Sequence, residues 1–264
     1  MSTVVVATSA ADAEAVEAVK DHHAQLAGAL ALQVEALLDA AARSDLPAAG
    51  AASNALVSWC HAELVPHALA EEKAMYPKAR EDPRARLLVD AMLAEHRELV
   101  ELVETIGKAT SPVRAAANAQ ALRSLFESHL VKENEQILPL LAESSEISLA
   151  EVLAGMHELL GGHDEGESAE AIAHGGCGGE CGCGEKNPAG DLPVLDARAV
   201  PHAIRHATIF GALDSIGAGG GLVLVAPHDP LPLLEQVEQR SPGLFSIDYL
   251  ERGPEAWRIR FVHA

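Results

Sequence analysis

Aromatic side chains are scarce in this chain, and alanine is abundant. Phe, Trp and Tyr together make up 3% of the 264 residues, although 48% of the residues are hydrophobic. A β sandwich is usually rich in aromatic and β-branched side chains, whereas alanine is the strongest helix former. The composition therefore favours close-packed helices over a β sandwich, in a chain long enough for one large domain or two ordinary ones.

Cysteine is also scarce, and its distribution excludes a disulfide framework. Cys177, Cys181 and Cys183 lie close together, and Cys60 stands alone. No basic residue precedes Lys20, the first apolar run is only a few residues long, and no stretch approaches the length of a membrane span. We therefore expect a cytoplasmic protein in a reducing environment.

Basic residues are outnumbered by acidic ones. The chain has 19 Lys and Arg against 39 Asp and Glu, a formal net charge of −20, and most of this acidity precedes residue 170. An acidic surface repels phosphate backbones and anionic lipid heads, so we expect neither nucleic acid nor membrane as a partner. The ordinary interpretation of the charge is a set of solvated helix faces.

Apolar residues recur at intervals of three and four over most of the first 160 residues. This spacing predicts a kink at Pro66 and helices at 12–42, 53–76, 83–108, 112–139 and 148–161. Four helices of this length joined by short links are typical of an all-α up-down-up-down four-helix bundle, with the fifth packed on its end. We assign the bundle to residues 1–160.

The rest of the chain has a different composition. Residues 161–190 are rich in Gly, Glu and Cys and lack an apolar period, which predicts a flexible Gly/Cys-rich linker. Residues 191–264 contain four short apolar runs and two helical segments, which predict a small α+β two-layer sandwich.

A His-x3-Glu-x5-Pro phrase occurs twice in the predicted bundle. Its copies share these residue types and this spacing, and comprise His67, Glu71 and Pro77 in the first and His129, Glu133 and Pro139 in the second. A His and a Glu four residues apart project from one face of a helix. Two such faces pointing at each other make a nitrogen-and-oxygen pocket for a metal pair, as in carboxylate-bridged di-iron bundles.

A lone histidine precedes each copy of the phrase. We choose His23 over His22 in the first helix because its spacing to the following apolar residues matches that of His96 in the third. Imidazole is a ligand for iron, and a carboxylate can bridge two ions, although the same donors would accept manganese or zinc. The predicted metal ligands, with terminal histidines and bridging glutamates, are His23, His67, Glu71, His96, His129 and Glu133. A core or surface role is the ordinary interpretation for His61, His157 and His163.

The order His, His-x3-Glu, His, His-x3-Glu over about residues 12–160 resembles the hemerythrin-like, or HHE cation-binding, domain. This resemblance implies a non-heme di-iron centre that binds oxygen, nitric oxide or peroxide. The oxygen carriers of that family have His-x3-His on the third helix and His-x4-Asp on the fourth, whereas this chain has Val100 at the first place and Glu133 near the second. The missing fifth histidine implies an open coordination site and favours redox chemistry or sensing. Tyr76 could line ligand entry, although packing is its commoner role.

The cysteine-rich segment has two interpretations. His174 and the three nearby cysteines could bind zinc or iron or act as redox thiols, since glycine permits tight folding of the backbone. Their spacing is not a paired Cys-x2-Cys knuckle, so an ordinary flexible linker is the alternative.

Residues 192–264 resemble the TusA/SirA-like fold, and more closely a family of small bacterial domains of unassigned function often attached to hemerythrin-like bundles. The sulfur carriers have a Cys-Pro motif, whereas this domain contains no cysteine, which makes covalent sulfur transfer an unexpected role. Arg205, His206, His228 and Asp229 are candidates for a second metal or anion site, with local hydrogen bonding as the alternative.

These observations predict a di-iron protein that binds or reduces a small oxidant, with the C-terminal domain as an electron relay or output module and a possible redox partner protein. Two other functions stay open. One is an oxidant-sensing signalling or adaptor protein without turnover, and the other is an iron donor for iron–sulfur cluster repair. An enzyme would consume oxidant repeatedly when given a reductant, whereas a sensor would bind once.

Overall fold

The computed structural model describes residues 7–159 and 192–264. The predicted linker at 161–190, with His163, His174 and the three clustered cysteines, lies outside the described residues, and so does the side chain of His157. Within the described ranges, no helix combines the length and the apolar character that a membrane crossing requires.

The N-terminal part of the chain is helical. The first helix begins after Ser9, whose side chain accepts a hydrogen bond from the N–H of Asp12, and the second begins after Asp45, which accepts from the N–H of Ala48. The α-helical segments are α1 (Ala10–Ala42), α2 (Leu46–Trp59), α3 (Val65–Ala70), α4 (Tyr76–Ala79), α5 (Arg86–Gly107), α6 (Pro112–Lys132), α7 (Leu138–Ala142) and α8 (Leu149–Leu159). The predicted short fifth helix is present as α8.

Three π-helical turns join these segments into longer runs. They are π1 (Cys60–Leu64), π2 (Glu71–Met75) and π3 (Glu133–Ile137). Each ends two residues before a proline, and the residue between donates its N–H to the carbonyl five residues earlier. Proline has no N–H and its ring clashes with the carbonyl four residues before it, so the widened turn lets the helix continue. Two of these turns begin at the glutamates of the repeated phrase. The proline of the phrase is therefore linked to a π turn that starts at the glutamate.

Several predicted helix boundaries are wrong. The second run begins at Leu46 because Asp45 caps it, and the fourth continues past Pro139 to Ala142 because of the π turn. Helix α5 begins at Arg86 rather than Pro83, since Asp82 accepts hydrogen bonds from the backbone and side chain of Arg84 and forms a turn there.

Two apolar clusters fill the helical part, and the predicted ligands lie where one cluster gives way to the other. On α1, Val19 belongs to one cluster and Leu26 to the other, and on α5 Met92 and Leu99 are divided in the same way. The lone histidines of α1 and α5 lie between these pairs. The polar centre is therefore enclosed by apolar packing at both ends.

The C-terminal domain is a four-stranded mixed sheet with two helices, as predicted. Its elements are β1 (Val194–Asp196), α9 (Arg205–Asp214), β2 (Gly221–Ala226), α10 (Leu231–Arg240), β3 (Phe245–Arg252) and β4 (Trp257–His263). The strand order is β1-β2-β4-β3, with β1 parallel to β2 and the other pairs antiparallel. Leu195 pairs with Leu224, and Leu224 pairs with Ile259 on its other side, which places buried residues on adjacent strands.

Helices α1 and α9 are in backbone contact, which joins the two domains. A Cβ atom at Gly28 would lie 2.0 Å from the backbone nitrogen of Ala212, and one at Gly211 would lie 1.9 Å from the carbonyl oxygen of Ala24. Both glycines are required by this close approach. Ala31 of α1 belongs to the same apolar cluster as the core of the small domain.

Candidate metal centre

The structure brings all six predicted ligands together in the interior of the bundle. They come from four helical runs, with His23 on α1, the first phrase on α3 and π2, His96 on α5, and the second phrase on α6 and π3. Each of the six is at most 3% exposed. Histidine and glutamate are seldom buried without partners, so the burial of six such side chains in one place requires an explanation.

One group of four side chains surrounds a first position. Nε2 of His23 lies 3.3 Å from Oε1 of Glu71 and 3.7 Å from Oε2 of Glu133. Nε2 of His67 lies 2.9 Å from Oε1 of Glu71. One ligand atom from each of these four residues lies within 4.8 Å of the others, close enough to share a single ion.

A second group surrounds a neighbouring position and shares Glu71 with the first. Nε2 of His96 lies 3.5 Å from Oε2 of Glu71, and Nε2 of His129 lies 3.5 Å from Oε2 of Glu133. The Nε2 atoms of the two histidines face each other at 3.1 Å. The two oxygens of Glu71 therefore point to different groups, which is the arrangement a bridging carboxylate needs.

Several atoms of the cluster have no hydrogen-bond partner. They are Nδ1 and Nε2 of His67, Oε2 of Glu71 and Oε2 of Glu133, and the 2.9 Å contact of His67 with Glu71 lacks hydrogen-bond geometry. Buried polar atoms are nearly always hydrogen-bonded or coordinate a metal. The unpartnered atoms and the facing imidazoles fit a metal site of nitrogen and oxygen donors.

The ring of Tyr76 lies in one of the apolar clusters, and its hydroxyl belongs to the centre. Its hydroxyl donates a 2.6 Å hydrogen bond to Oε1 of Glu133 and lies 3.3 Å from Nε2 of His96 and 3.2 Å from Nε2 of His129. Burial, followed by the charge of Glu133, raises the pKa of this phenol, which keeps it protonated in the metal-free protein. Tyr76 directly follows π2 and precedes Pro77 of the first phrase.

Three polar residues outside the ligand set were missed by sequence reasoning. Glu72 accepts from Nδ1 of His96 at 3.0 Å, and Asn134 lies 2.8 Å from Nδ1 of His23. Each directly follows the glutamate of a phrase and contacts the lone histidine of the other half of the bundle. The third residue is Glu95, on α5.

Glu95 supports His129 from outside the ligand set. Its Oε2 lies 3.0 Å from Nδ1 of His129, and its Oε1 contacts Nζ of Lys132. The hydrogen bond with His129 lowers the pKa of Glu95 to about 2 despite partial burial, with a further contribution from Lys132. Such partners fix the tautomer and orientation of a metal-ligating histidine.

The histidines and glutamates of the cluster shift each other's pKa values. Burial lowers the pKa of His129, but Glu133 and Glu95 outweigh it and raise that pKa to about 10. Burial raises the pKa of Glu71, but neighbouring histidines, led by His67, hold it well below its usual range. A proton on the raised-pKa imidazole of His129 must leave before that ring can bind a metal.

The remaining histidines of interest lie outside the cluster. His22 packs its ring edge against His67, with 4.9 Å between centroids, but is not part of either group. His61 is half-exposed and lies 3.7 Å from Glu104. The structure thus brings His23, and not His22, into the cluster.

The other predicted reactive groups do not form a second metal site in the described residues. Asp229 accepts a 2.7 Å hydrogen bond from Tyr249, and Arg205 donates to the carbonyl of Val200. In 7–159 and 192–264, both groups of three or more side chains able to share an ion lie in the bundle. Burial raises the pKa of Cys60 to about 12, which makes this thiol unreactive.

The two domains match two families. Residues 14–141 match the family model described as Hemerythrin HHE cation binding domain, and residues 194–263 match the model described as Uncharacterized conserved protein (DUF2249). No curated protein and no solved structure matches the chain. The resemblance of the helical part to hemerythrin-like domains is confirmed. The chain therefore carries a hemerythrin HHE cation-binding domain followed by a DUF2249 domain.

Proposed function

We propose that the bundle holds a carboxylate-bridged di-iron centre that binds or reduces a small oxidant, namely oxygen, nitric oxide or peroxide. The observation that carries this proposal is that Glu71 belongs to both groups of candidate ligands. His23 and His67 would hold one ion, and His96 and His129 the other, with Glu71 and Glu133 shared. We further propose an up-down-up-down arrangement for the four helical runs that supply them.

Iron bound here would supply reversible electron transfer and a coordination position for the oxidant. The side chains of the centre do the rest. The four imidazoles would act as neutral donors, and Tyr76 orients Glu133 through its hydrogen bond. Because the ligands are at most 3% exposed, bulk water is excluded, which limits leakage of reactive species.

The surroundings of the second position favour redox chemistry over oxygen storage. The oxygen carriers of the family have a histidine where this chain has Val100, and Val100 is 37% exposed. The hydroxyl of Tyr76 lies beside His96 and His129 instead. A phenol there could hold a proton next to a bound oxidant, which a carrier that releases oxygen unchanged does not require.

Metal content and absorption spectra test this function. The protein should be loaded with ferrous iron without air, freed of excess metal, and exposed separately to oxygen, nitric oxide and peroxide. We expect about two irons per chain and absorption bands that change with oxidant. A sample loaded with zinc provides the control, since zinc has no redox chemistry. The proposal would be wrong if the protein held only trace metal, or if it bound one zinc ion in preference to iron.

A second candidate, oxidant sensing, is favoured by the use of α1 in both domains. His23 lies on the same helix, five residues before Gly28, which touches α9 of the DUF2249 domain. A shift of α1 on ligand binding would reach the small domain directly. Stopped-flow kinetics with excess reductant distinguish the candidates, since repeated consumption of oxidant indicates turnover and a single binding phase indicates sensing. Iron donation is disfavoured by the burial of all six ligands, and a transfer assay with an apo acceptor would test it.

A further inference from the structure

The four histidines of the centre differ in what supports their outer nitrogen. Nδ1 of His96 lies 3.0 Å from Oε1 of Glu72, and Nδ1 of His129 lies 3.0 Å from Oε2 of Glu95. Nδ1 of His23 faces an amide oxygen instead, that of Asn134 at 2.8 Å, and Nδ1 of His67 is buried without a hydrogen-bond partner. Both supporting carboxylates are therefore on one side of the centre.

The groups that support His96 and His23 come from equivalent positions of the repeated phrase. Glu72 follows Glu71, and Asn134 follows Glu133, so the two residues occupy the same place in the two copies. Each reaches across to the lone histidine of the other half. The two copies of the phrase thus differ at this position, where the first has a carboxylate and the second has a neutral amide.

The chemical consequence concerns the electron donation of each imidazole. An ionised acceptor on the outer N–H makes a stronger hydrogen bond than a neutral amide does, and it raises the basicity of the ligating nitrogen. A more basic ligand set stabilises the more highly charged metal ion. Lys132 contacts the other oxygen of Glu95 and weakens that contribution, which leaves Glu72 as the clearer difference between the two sides.

We propose that the two iron positions are inequivalent, and that the position held by His96 and His129 is oxidised first because Glu72 and Glu95 support its histidines. The position held by His23 and His67 is oxidised second. This inference rests on the di-iron centre proposed above, and it assigns to Glu72 and Asn134 the role of positioning residues that set the order of oxidation. Oxidation by ferricyanide removes one electron at each stage, and ferricyanide is reduced to ferrocyanide.

Two isosteric substitutions test the order in the full-length, iron-loaded protein. Glu72→Gln keeps an acceptor for His96 but removes the charge, so the first oxidation potential should rise. The expected change is about tenfold in the equilibrium constant, or about 59 mV for one electron. Asn134→Asp adds a charge behind His23, so the second potential should fall by a similar amount while the first changes little.

Glu72→Gln has a matched control, and its failure is distinct from a failure of the di-iron centre. Glu135→Gln removes one exposed charge beside Asn134 and should leave both potentials within experimental error. Melting curves and Mössbauer spectra establish that each variant is folded and holds two irons. If Glu72→Gln moves the second potential, moves both equally, or matches Glu135→Gln, the inference is wrong although the di-iron centre stands. If the parent protein does not hold two irons, the proposed function fails and takes this inference with it.

Discussion

The hydroxyl of Tyr76 donates a 2.6 Å hydrogen bond to Oε1 of Glu133, a candidate metal ligand. Tyr76→Phe removes this donor while retaining the ring that packs beside His96. Loss of a supporting hydrogen bond to a metal ligand typically costs 10- to 100-fold in affinity, and we expect about tenfold weaker metal binding. Competition with a coloured chelator measures it. Tyr249→Phe, in β3, is the matched control, and equal affinities in the two variants would refute a role for the Tyr76 hydroxyl.

Glu71 should control both metal positions, whereas His67 should control one. Glu71→Ala removes a ligand from both groups, so we expect loss of both ions after dialysis. His67→Ala removes a donor from the first group alone and should leave about one ion per chain. Metal analysis of dialysed protein distinguishes the two, with His61→Ala as a control outside the cluster. Retention of two ions by Glu71→Ala would mean that this carboxylate does not bridge.

The contact between α1 and α9 should not tolerate a methyl group. In Gly211→Ala the new Cβ would meet the carbonyl oxygen of Ala24 at 1.9 Å, so the helices must separate. We expect a loss of about 3 kcal/mol, at the upper end of overpacking effects, and faster amide exchange along α9. Gly50→Ala, in α2 with nothing within 4 Å of its Cβ, should instead be neutral or slightly stabilising. Unfolding in urea and hydrogen exchange provide the measurements. Unchanged exchange in α9 would contradict the close contact.

A buried charge cluster between α1 and α6 should make stability depend on pH. Arg123 is 2% exposed and donates 2.8 Å hydrogen bonds to Glu35 and Glu127, and burial raises the pKa of both carboxyls although Arg123 opposes this. Arg123→Met leaves these carboxylates without a counter-ion, at a cost of about 3 kcal/mol at neutral pH. A raised folded-state pKa means that the ionised carboxyl opposes folding, and this effect disappears as the pH falls toward the unfolded value of 4.5.

The loss in Arg123→Met should therefore be smaller at pH 5 than at pH 7.5, which urea titrations at the two values would measure. Arg240→Met provides the comparison, since its partner Asp214 lies on the surface and such pairs contribute about 0.5 kcal/mol. A loss for Arg123→Met that is equal at both pH values would show that the two carboxyls are not coupled to it as described.

The six candidate ligands could be predicted because helix periodicity converts spacing into direction. Two residues four apart must share a face, so the repeated phrase and the lone histidines defined one cluster without any coordinates. Tyr76 could not be assigned in the same way, because π2 adds a residue to the turn and rotates the helical residues after it. A periodicity of 3.6 residues per turn does not anticipate that rotation.

Contacts between distant residues that share no repeated motif were beyond sequence reasoning. Nothing in the surroundings of Gly28 or Gly211 identifies the other as its neighbour, and a glycine within a helix usually indicates only lower helix propensity. Glu72 and Asn134 look like solvated polar residues until the histidines of the opposite half are placed beside them. The elements of the small domain were predictable from local patterns, since β2 is a short apolar run, β3 and β4 largely alternate apolar and polar residues, and the helices have apolar residues three and four apart.

Helix α1 belongs to two hydrophobic cores at once, and this has a consequence for how the protein unfolds. Leu30 and Val34 lie in a core of the bundle, whereas Ala31 lies in that of the DUF2249 domain. If α1 unfolds together with one domain, apolar side chains in the core of the other domain become exposed to water. Heat or urea should therefore melt the two domains in a single cooperative transition, and a metal ion that binds the bundle would also protect the domain that does not touch it.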